Sequence, residues 1–240
     1  MPRGTTECTR VFFLGNSYTA VNDLPYTFAA LAWAGGHRVD TAVLAPGGWT
    51  LVDHAVDPDT AQALVASRWD WVVLQEQSEI PAVESDRQTL MYPGSRDLVK
   101  TIRDAGAVPM FFETWAHRGG WPAGGLPDFP SMQAAIDDAY AFIAHEQQAP
   151  IAPVGHAWAE VVNDDPHAGL WQGDGSHPTT MGTYLAACVF YAAIFRQSPV
   201  GLGWHPWLSG ADALEDQRAA ADTVLGDPGK WGLSSAANPS

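Results

Sequence analysis

Cysteine and positive charge are both scarce in this chain. Of 240 residues only 2 are cysteine, Cys8 and Cys188. They permit one disulfide at most and none of the repeated cysteine spacings that hold structural metals. Lys and Arg together number 12 against 27 Asp and Glu, a formal charge of -15. A surface this acidic repels phosphate backbones and anionic lipid, so neither nucleic acid nor a membrane is an expected partner. Long apolar runs are missing too. The most apolar stretch, YLAACVFYAAIF (184–195), falls far short of the roughly 20 residues that cross a bilayer. The chain therefore reads as soluble: cytoplasmic as written, secreted if an export signal has been removed.

What is present is enough for a sizeable core. The composition is 46% hydrophobic and 11% aromatic, which excludes a disordered, coiled-coil or collagen-like chain. Between residues 10 and 196, short apolar runs alternate with longer segments of helical period. RVFFLG (10–15), VDTAVLA (39–45), DWVVLQ (70–75), VPMFFE (108–113) and PIAPVG (150–155) read as strands buried on both faces. Helices are expected at 24–34, 50–66, 88–104, 131–148 and 179–196, with Gly35-Gly36 and Gly106 as stops and Ser131 as an N-cap. This rhythm predicts an α/β protein, a three-layer α/β/α sandwich around a parallel five-stranded sheet. Neither a linker nor a repeat interrupts it. One domain over 1–240 is expected, with its core at about 10–196 and a C-terminal extension (197–240) holding a short helix near 210–225 and a loosely held tail. WAHRGGWPAGGLPDFP (115–130) is too rich in Gly and Pro for an element, and long structureless loops of this kind tend to be functional.

In an open parallel sheet the ligand site lies beyond the carboxyl ends of the strands. The segments there are Gly15-Asn16-Ser17-Tyr18-Thr19, Pro46-Gly47-Gly48-Trp49-Thr50, Gln75-Glu76-Gln77-Ser78 and Glu113-Thr114-Trp115, with Asp174-Gly175-Ser176-His177-Pro178 before the last long helix of the core. His177 is a candidate general base, and Asp174, three residues earlier on a turn, can orient its ring and stabilise the imidazolium. Ser17 stands where a strand turns into a helix, so its hydroxyl and its own N–H can face one cavity, as a nucleophile requires. Gly48 offers a second N–H, and Gln75 or Gln77 a side-chain amide, which together would make a three-donor oxyanion hole. Trp49, Trp115 and Trp121 could stack on a sugar or cover an acyl group. His54, His117 and His156 show no ligand spacing and read as surface or packing residues, with His117 at the pocket wall.

GNSYT after the first strand, a glycine after the second, an amide after the third and DGSHPT before a long helix resemble the SGNH, or GDSL-type, hydrolase superfamily, over roughly residues 10 to 196. The resemblance implies a flavodoxin-like fold, ester hydrolysis through an acyl-enzyme on Ser17 with Asp174 and His177, and no metal or organic cofactor. Two blocks depart from the family pattern. Gly15-Asn16-Ser17 replaces Gly-Asp-Ser, and LQEQSE (74–79) replaces Gly-x-Asn-Asp. The second departure is similar to carbohydrate-acetylesterase-like members and points to Gln75 as third donor, with Gln77 the alternative. The expected substrate is a short-chain acyl ester, a small molecule or an O-acetylated carbohydrate, with Trp49 and Trp115 contacting it. Acyl transfer by the same residues, and a non-catalytic flavodoxin-like module holding flavin or phosphate at the Ser17 turn, are the alternatives.

Overall fold

The computed structural model describes residues 8–233. The ends of the chain, on which the readings of the first residues and of the last part of the tail fall, lie outside the described residues. Five strands, β1 (Cys8–Leu14), β2 (Arg38–Leu44), β3 (Trp71–Leu74), β4 (Val108–Glu113) and β5 (Ile151–Pro153), pair in parallel in the order β2-β1-β3-β4-β5. The helices are α1 (Ser17–Ala20), α2 (Leu24–Ala34), α3 (Leu51–Val56), α4 (Pro58–Ala66), α5 (Glu84–Asp86), α6 (Tyr92–Asp104), α7 (Phe129–Gln147), α8 (Val154–Asp164), α9 (Thr180–Phe195) and α10 (Gly210–Leu225). α2 and α9 pack together on one side of the sheet and α6 adjoins both α3 and α7 on the other, the three layers expected from the βα rhythm.

The order of the strands places the site. From β1 the chain moves outward to β2, then returns past β1 to β3, so the connections leave β1 in opposite directions and open a crevice beyond its carboxyl end. β2 is an edge strand, and its burial corrects the expectation that every strand is covered on both faces: Val39 is its one buried residue and Val43 is 46% exposed. β1 and β3 do meet that expectation in the middle of the sheet, where Val11–Leu14 and Trp71–Leu74 are all buried. α9 is apolar all round because it is covered all round: every residue from Gly182 to Ile194 is buried between the sheet and the flanking helices. Phe190 at its centre meets Phe13 at 5.4 Å and Phe112 at 5.1 Å, edge to face.

Element boundaries moved where local chemistry outweighs periodicity. The helix expected over 50–66 is two helices, because Asp57 before Pro58 is pushed into an extended conformation. Its carboxylate then caps α4 through the Thr60 N–H at 2.8 Å. α7 starts ahead of Ser131: Asp128 is the N-cap, and Ser131 is its reciprocal partner in a capping box. The segment expected over 88–104 begins earlier, with α5 passing through a π-helical turn (Arg87–Met91) into α6. α8 was not anticipated; it starts directly on the end of β5, where a continuing strand was expected. The 115–130 segment is partly ordered by pairing of Trp121 with Leu126. In the described part of the tail Trp231 and Leu233 are buried, so that part is packed rather than loose.

The two thiols lie in opposite surroundings. Cys8 is exposed, whereas Cys188 is fully buried in α9 and burial raises its pKa well above the usual thiol value. One thiol per chain is therefore expected to react with Ellman's reagent in the native protein and both in guanidinium. Two fast native thiols would contradict this packing of α9.

Candidate active site

The site begins with Asn16, which is 2% exposed and caps α1 by accepting the Tyr18 N–H on its Oδ1 at 3.1 Å. Its Nδ2 donates to the Trp49 carbonyl at 2.9 Å, tying the turn after β2 to the turn after β1. Behind it lies Gln75, fully buried. Gln75 Oε1 accepts the Asn16 N–H at 2.9 Å and the Thr19 hydroxyl at 2.9 Å, and its Nε2 donates to Asn16 Oδ1 at 3.0 Å and to the Glu76 carbonyl. His54, buried as well, donates from Nε2 to the Gly15 carbonyl at 2.8 Å. Burial lowers the His54 pKa, so a neutral ring making this bond is the favoured state. Glu76 accepts the N–H groups of Leu51 and Gln77 on Oε1. Its burial pushes the carboxyl pKa up to about 8, and it is mainly protonated at neutral pH.

This scaffold presents Ser17 as the first residue of α1. Among the described residues the N–H groups of Ser17 and of Gly48 donate to nothing, and Gly48 has φ +76°, a conformation favoured by glycine. Opposite stands the turn from Asp174 to His177. Asp174 Oδ1 accepts the N–H groups of Ser176 and His177 at 2.9 and 3.0 Å, while Oδ2 holds His177 Nδ1 at 2.6 Å. Those backbone N–H groups and the His177 ring hold the Asp174 pKa down at about 2. His177 Nε2 lies 2.9 Å from Ser17 Oγ. Ser17, His177 and Asp174, separated by up to 160 positions in the chain, are thus brought into one hydrogen-bonded line, with the turn open to solvent at Asp174.

The turn is held from several sides by residues not anticipated from the sequence. The Ser176 hydroxyl meets the Tyr18 hydroxyl at 2.7 Å, and Trp115 Nε1 donates to the Ser176 carbonyl at 2.9 Å. Arg118 N–H donates to the Gly175 carbonyl, and Asn22 Nδ2 to that of Pro178. The only local hint of the Tyr18 role was its place beside Ser17. His117 is half-buried, with Nε2 3.3 Å from the Ser78 hydroxyl.

Two expectations need correction. Gln75 does not aim an amide at the crevice; both hydrogens of its Nε2 are committed to Asn16 and Glu76 because the side chain folds back under the Ser17 turn. Trp115 is fully buried and cannot lie against a substrate; it is stacked between Tyr18, at 4.6 Å, and Trp158, at 4.1 Å. Trp49 is half-buried, its ring against His54 at 5.1 Å.

No family model and no curated protein matches the chain. Among solved structures, a protein from Slackia heliotrinireducens described as an SGNH hydrolase is 30% identical, with 98% of its chain and 77% of this one covered and a TM-score of 0.64. The chain belongs to the SGNH hydrolases. A DUF4886 family protein from Bacteroides uniformis superposes with a TM-score of 0.79 at 21% identity, covering 91% of this chain and 95% of that one. An acetyl-xylooligosaccharide esterase from Geobacillus Stearmophilus superposes with a TM-score of 0.58 at 16% identity, covering 87% of this chain and all of that one, 100%. These two share the fold. As an SGNH hydrolase the protein is an enzyme, and the reading as a non-catalytic flavodoxin-like module is set aside. No helix among the described residues is long and apolar enough to cross a membrane.

Proposed function

We propose that the protein is a serine esterase acting on short acyl esters, with O-acetyl groups on carbohydrate as the preferred class. The observation that carries this reading is the unbroken line from Asp174 Oδ2 through both nitrogens of His177 to Ser17 Oγ, at 2.6 and 2.9 Å. In the first half-reaction His177 takes the Ser17 proton as Oγ bonds to the ester carbonyl carbon. The negative charge that forms on the carbonyl oxygen is met by the free N–H groups of Ser17 and Gly48. Since Gln75 is committed elsewhere, Gln77 is the side-chain amide of this loop with a hydrogen to spare: its Oε1 accepts the Glu79 and Ile80 N–H groups, and its Nε2 makes one long contact to Ser78. The carbon–oxygen bond to the alcohol then breaks, and the alcohol leaves with the proton from His177. Water, deprotonated by the same imidazole, attacks the acyl-enzyme, and the acid departs as the proton returns to Ser17.

Support for a short acyl group on a sugar comes from Trp49, half-buried and next in sequence to Gly48, and from the acetyl-xylooligosaccharide esterase that shares the fold. The test combines a fluorophosphonate with a chain-length series. Intact mass is expected to show one adduct in the wild type and none in Ser17→Ala, and p-nitrophenyl acetate should be cleaved much faster than the octanoate. Trp49→Ala should raise KM for acetylated xylooligosaccharides about tenfold, the size of one aromatic stacking contact, and leave p-nitrophenyl acetate nearly untouched. An absent wild-type adduct would overturn the serine mechanism; a preference for octanoate would overturn the acyl class alone.

A further inference from the structure

A second group of polar side chains, which the Ser17 mechanism does not use, lies at the ends of β4 and β5, toward the β5 edge of the sheet. Glu113 ends β4, Asp137 projects from α7 and His156 from the first turn of α8. His156 Nδ1 is 2.7 Å from Glu113 Oε1 and 3.6 Å from Asp137 Oδ1, and one ligand atom from each of the three lies within 4.8 Å of the others. The Gln133 amide supports both carboxylates from behind. It donates to Asp137 Oδ1 at 2.8 Å and to the Thr114 carbonyl at 3.2 Å, and reaches Glu113 Oε1 at 3.5 Å. Gly155 makes that close approach feasible: a Cβ there would come within 2.3 Å of Gln133 Nε2 and of the Thr114 oxygen.

One atom in this cluster lacks a partner. Glu113 is 1% exposed, and among the described residues its Oε2 accepts no hydrogen bond. A buried carboxylate oxygen without a donor, next to a second carboxylate, is costly unless a cation or a shared proton neutralises it, and burial raises the pKa of both carboxyls. Lys230 lies near but places its Nζ 4.3 Å over the Trp231 ring rather than on Glu113. On the outer side the cluster opens into a cavity of about 570 Å³, lined by Glu113, Asp137, His156, Ile151, Lys230 and Trp231 among others. Asp137 and His156 are each 28% exposed there, so an ion can enter from solvent.

We propose that Glu113, Asp137 and His156 bind a divalent first-row cation, with Zn²⁺ the best match, through one carboxylate oxygen each and His156 Nδ1. One imidazole nitrogen with two carboxylates suits Zn²⁺ better than Ca²⁺ or Mg²⁺, which take oxygen ligands almost exclusively. Three protein ligands leave a fourth position facing the cavity, open to water or to the carboxylate of a small ligand. The ion would clip β4, α7 and α8 together. This site is separate from the Ser17 line, and the family's metal-free ester chemistry does not need it.

Calorimetric titration of ZnCl₂ into the full chain, previously stripped with a chelator, should give one site per chain, and the thermal midpoint should rise with Zn²⁺. Asp137→Asn keeps the shape at a partly exposed position, and His156→Gln keeps a polar side chain. Each should weaken binding at least about tenfold and remove the midpoint shift. Fluorophosphonate labelling at Ser17 reports whether the variants are folded. Three outcomes would overturn the proposal: no binding by the wild type, equal binding by folded Asp137→Asn, or a Glu113→Gln variant that gains stability while the wild type ignores Zn²⁺. The last would mean that the two carboxyls simply share a proton.

Discussion

Replacing Ser17 by Ala should lower kcat for p-nitrophenyl acetate by about 10⁵- to 10⁶-fold, to the level left by binding and the backbone N–H groups alone. The hydroxyl is the atom that bonds to the acyl carbon, and no other hydroxyl is bonded to His177 Nε2 among the described residues. Asp174→Asn should cost about 10⁴-fold while retaining the Ser17 hydroxyl, because an amide in place of Oδ2 opposes the tautomer in which Nδ1 carries the proton. The pH profile gives an independent check. With its pKa held down at about 2, Asp174 stays ionised through the acid limb of activity, so no break near pH 4 should arise from it. The stability it contributes has the same sign: a depressed carboxyl pKa favours the fold above the unfolded value, near 3.8, and that contribution fades as pH falls toward about 2. A Ser17→Ala enzyme within a few-fold of wild type would end the serine mechanism.

Gly15→Ala should be the most damaging single methyl group near the site. A Cβ at Gly15 would stand 2.5 Å from Gln75 Oε1 and 2.5 Å from the Thr19 hydroxyl. Neither can retreat freely, because both are buried and bonded to each other, and Gln75 also holds the Asn16 N–H. Overpacking of this kind costs roughly 1–3 kcal/mol, and a displaced Gln75 would leave the Asn16 N–H buried and unpaired. Asn16 carries the start of α1, so the shift reaches the Ser17 N–H and Oγ directly. A misplacement of about 1 Å is worth about 10²-fold in rate. The expected variant is folded with a lowered thermal midpoint and a kcat reduced about 10²-fold, with KM less affected. Activity and midpoint equal to wild type would show that the Gln75 bonding does not position the nucleophile.

The sandwich was legible because its signals are local and repeated. VFFL, WVVL and MFF are apolar on consecutive residues, as strands covered on both faces must be, and Gly35-Gly36 and Gly106 stop the helices that follow. The helix split at Asp57-Pro58 was also written locally, but the apolar period across it hid the break. α8 was hidden for another reason: a strand of three residues leaves too little of its own period to show where the helix begins.

Within the site, the turns that carry Ser17, Asp174 and His177 were legible in the sequence, and the structure brings these three side chains together. Asp174 and His177 also share one turn, so their contact is a local matter. Gln75 and Trp115 were misjudged because residue type and position after a strand do not say which way a side chain turns. That direction follows from long-range partners: Asn16 and Thr19 draw Gln75 inward, while Tyr18 and Trp158 enclose Trp115. The same holds for His54, Tyr18 and the Glu113–Asp137–His156 cluster, whose members show no mutual spacing in sequence. Patterning by itself determined the layers and the order in which chemistry reaches the edge of the sheet, because hydrophobic period and turn residues act over a few positions. Only tertiary structure decided which polar groups face solvent and which are consumed holding others, because a buried hydrogen bond has to be satisfied by whatever donor or acceptor the packing brings within 3 Å or so.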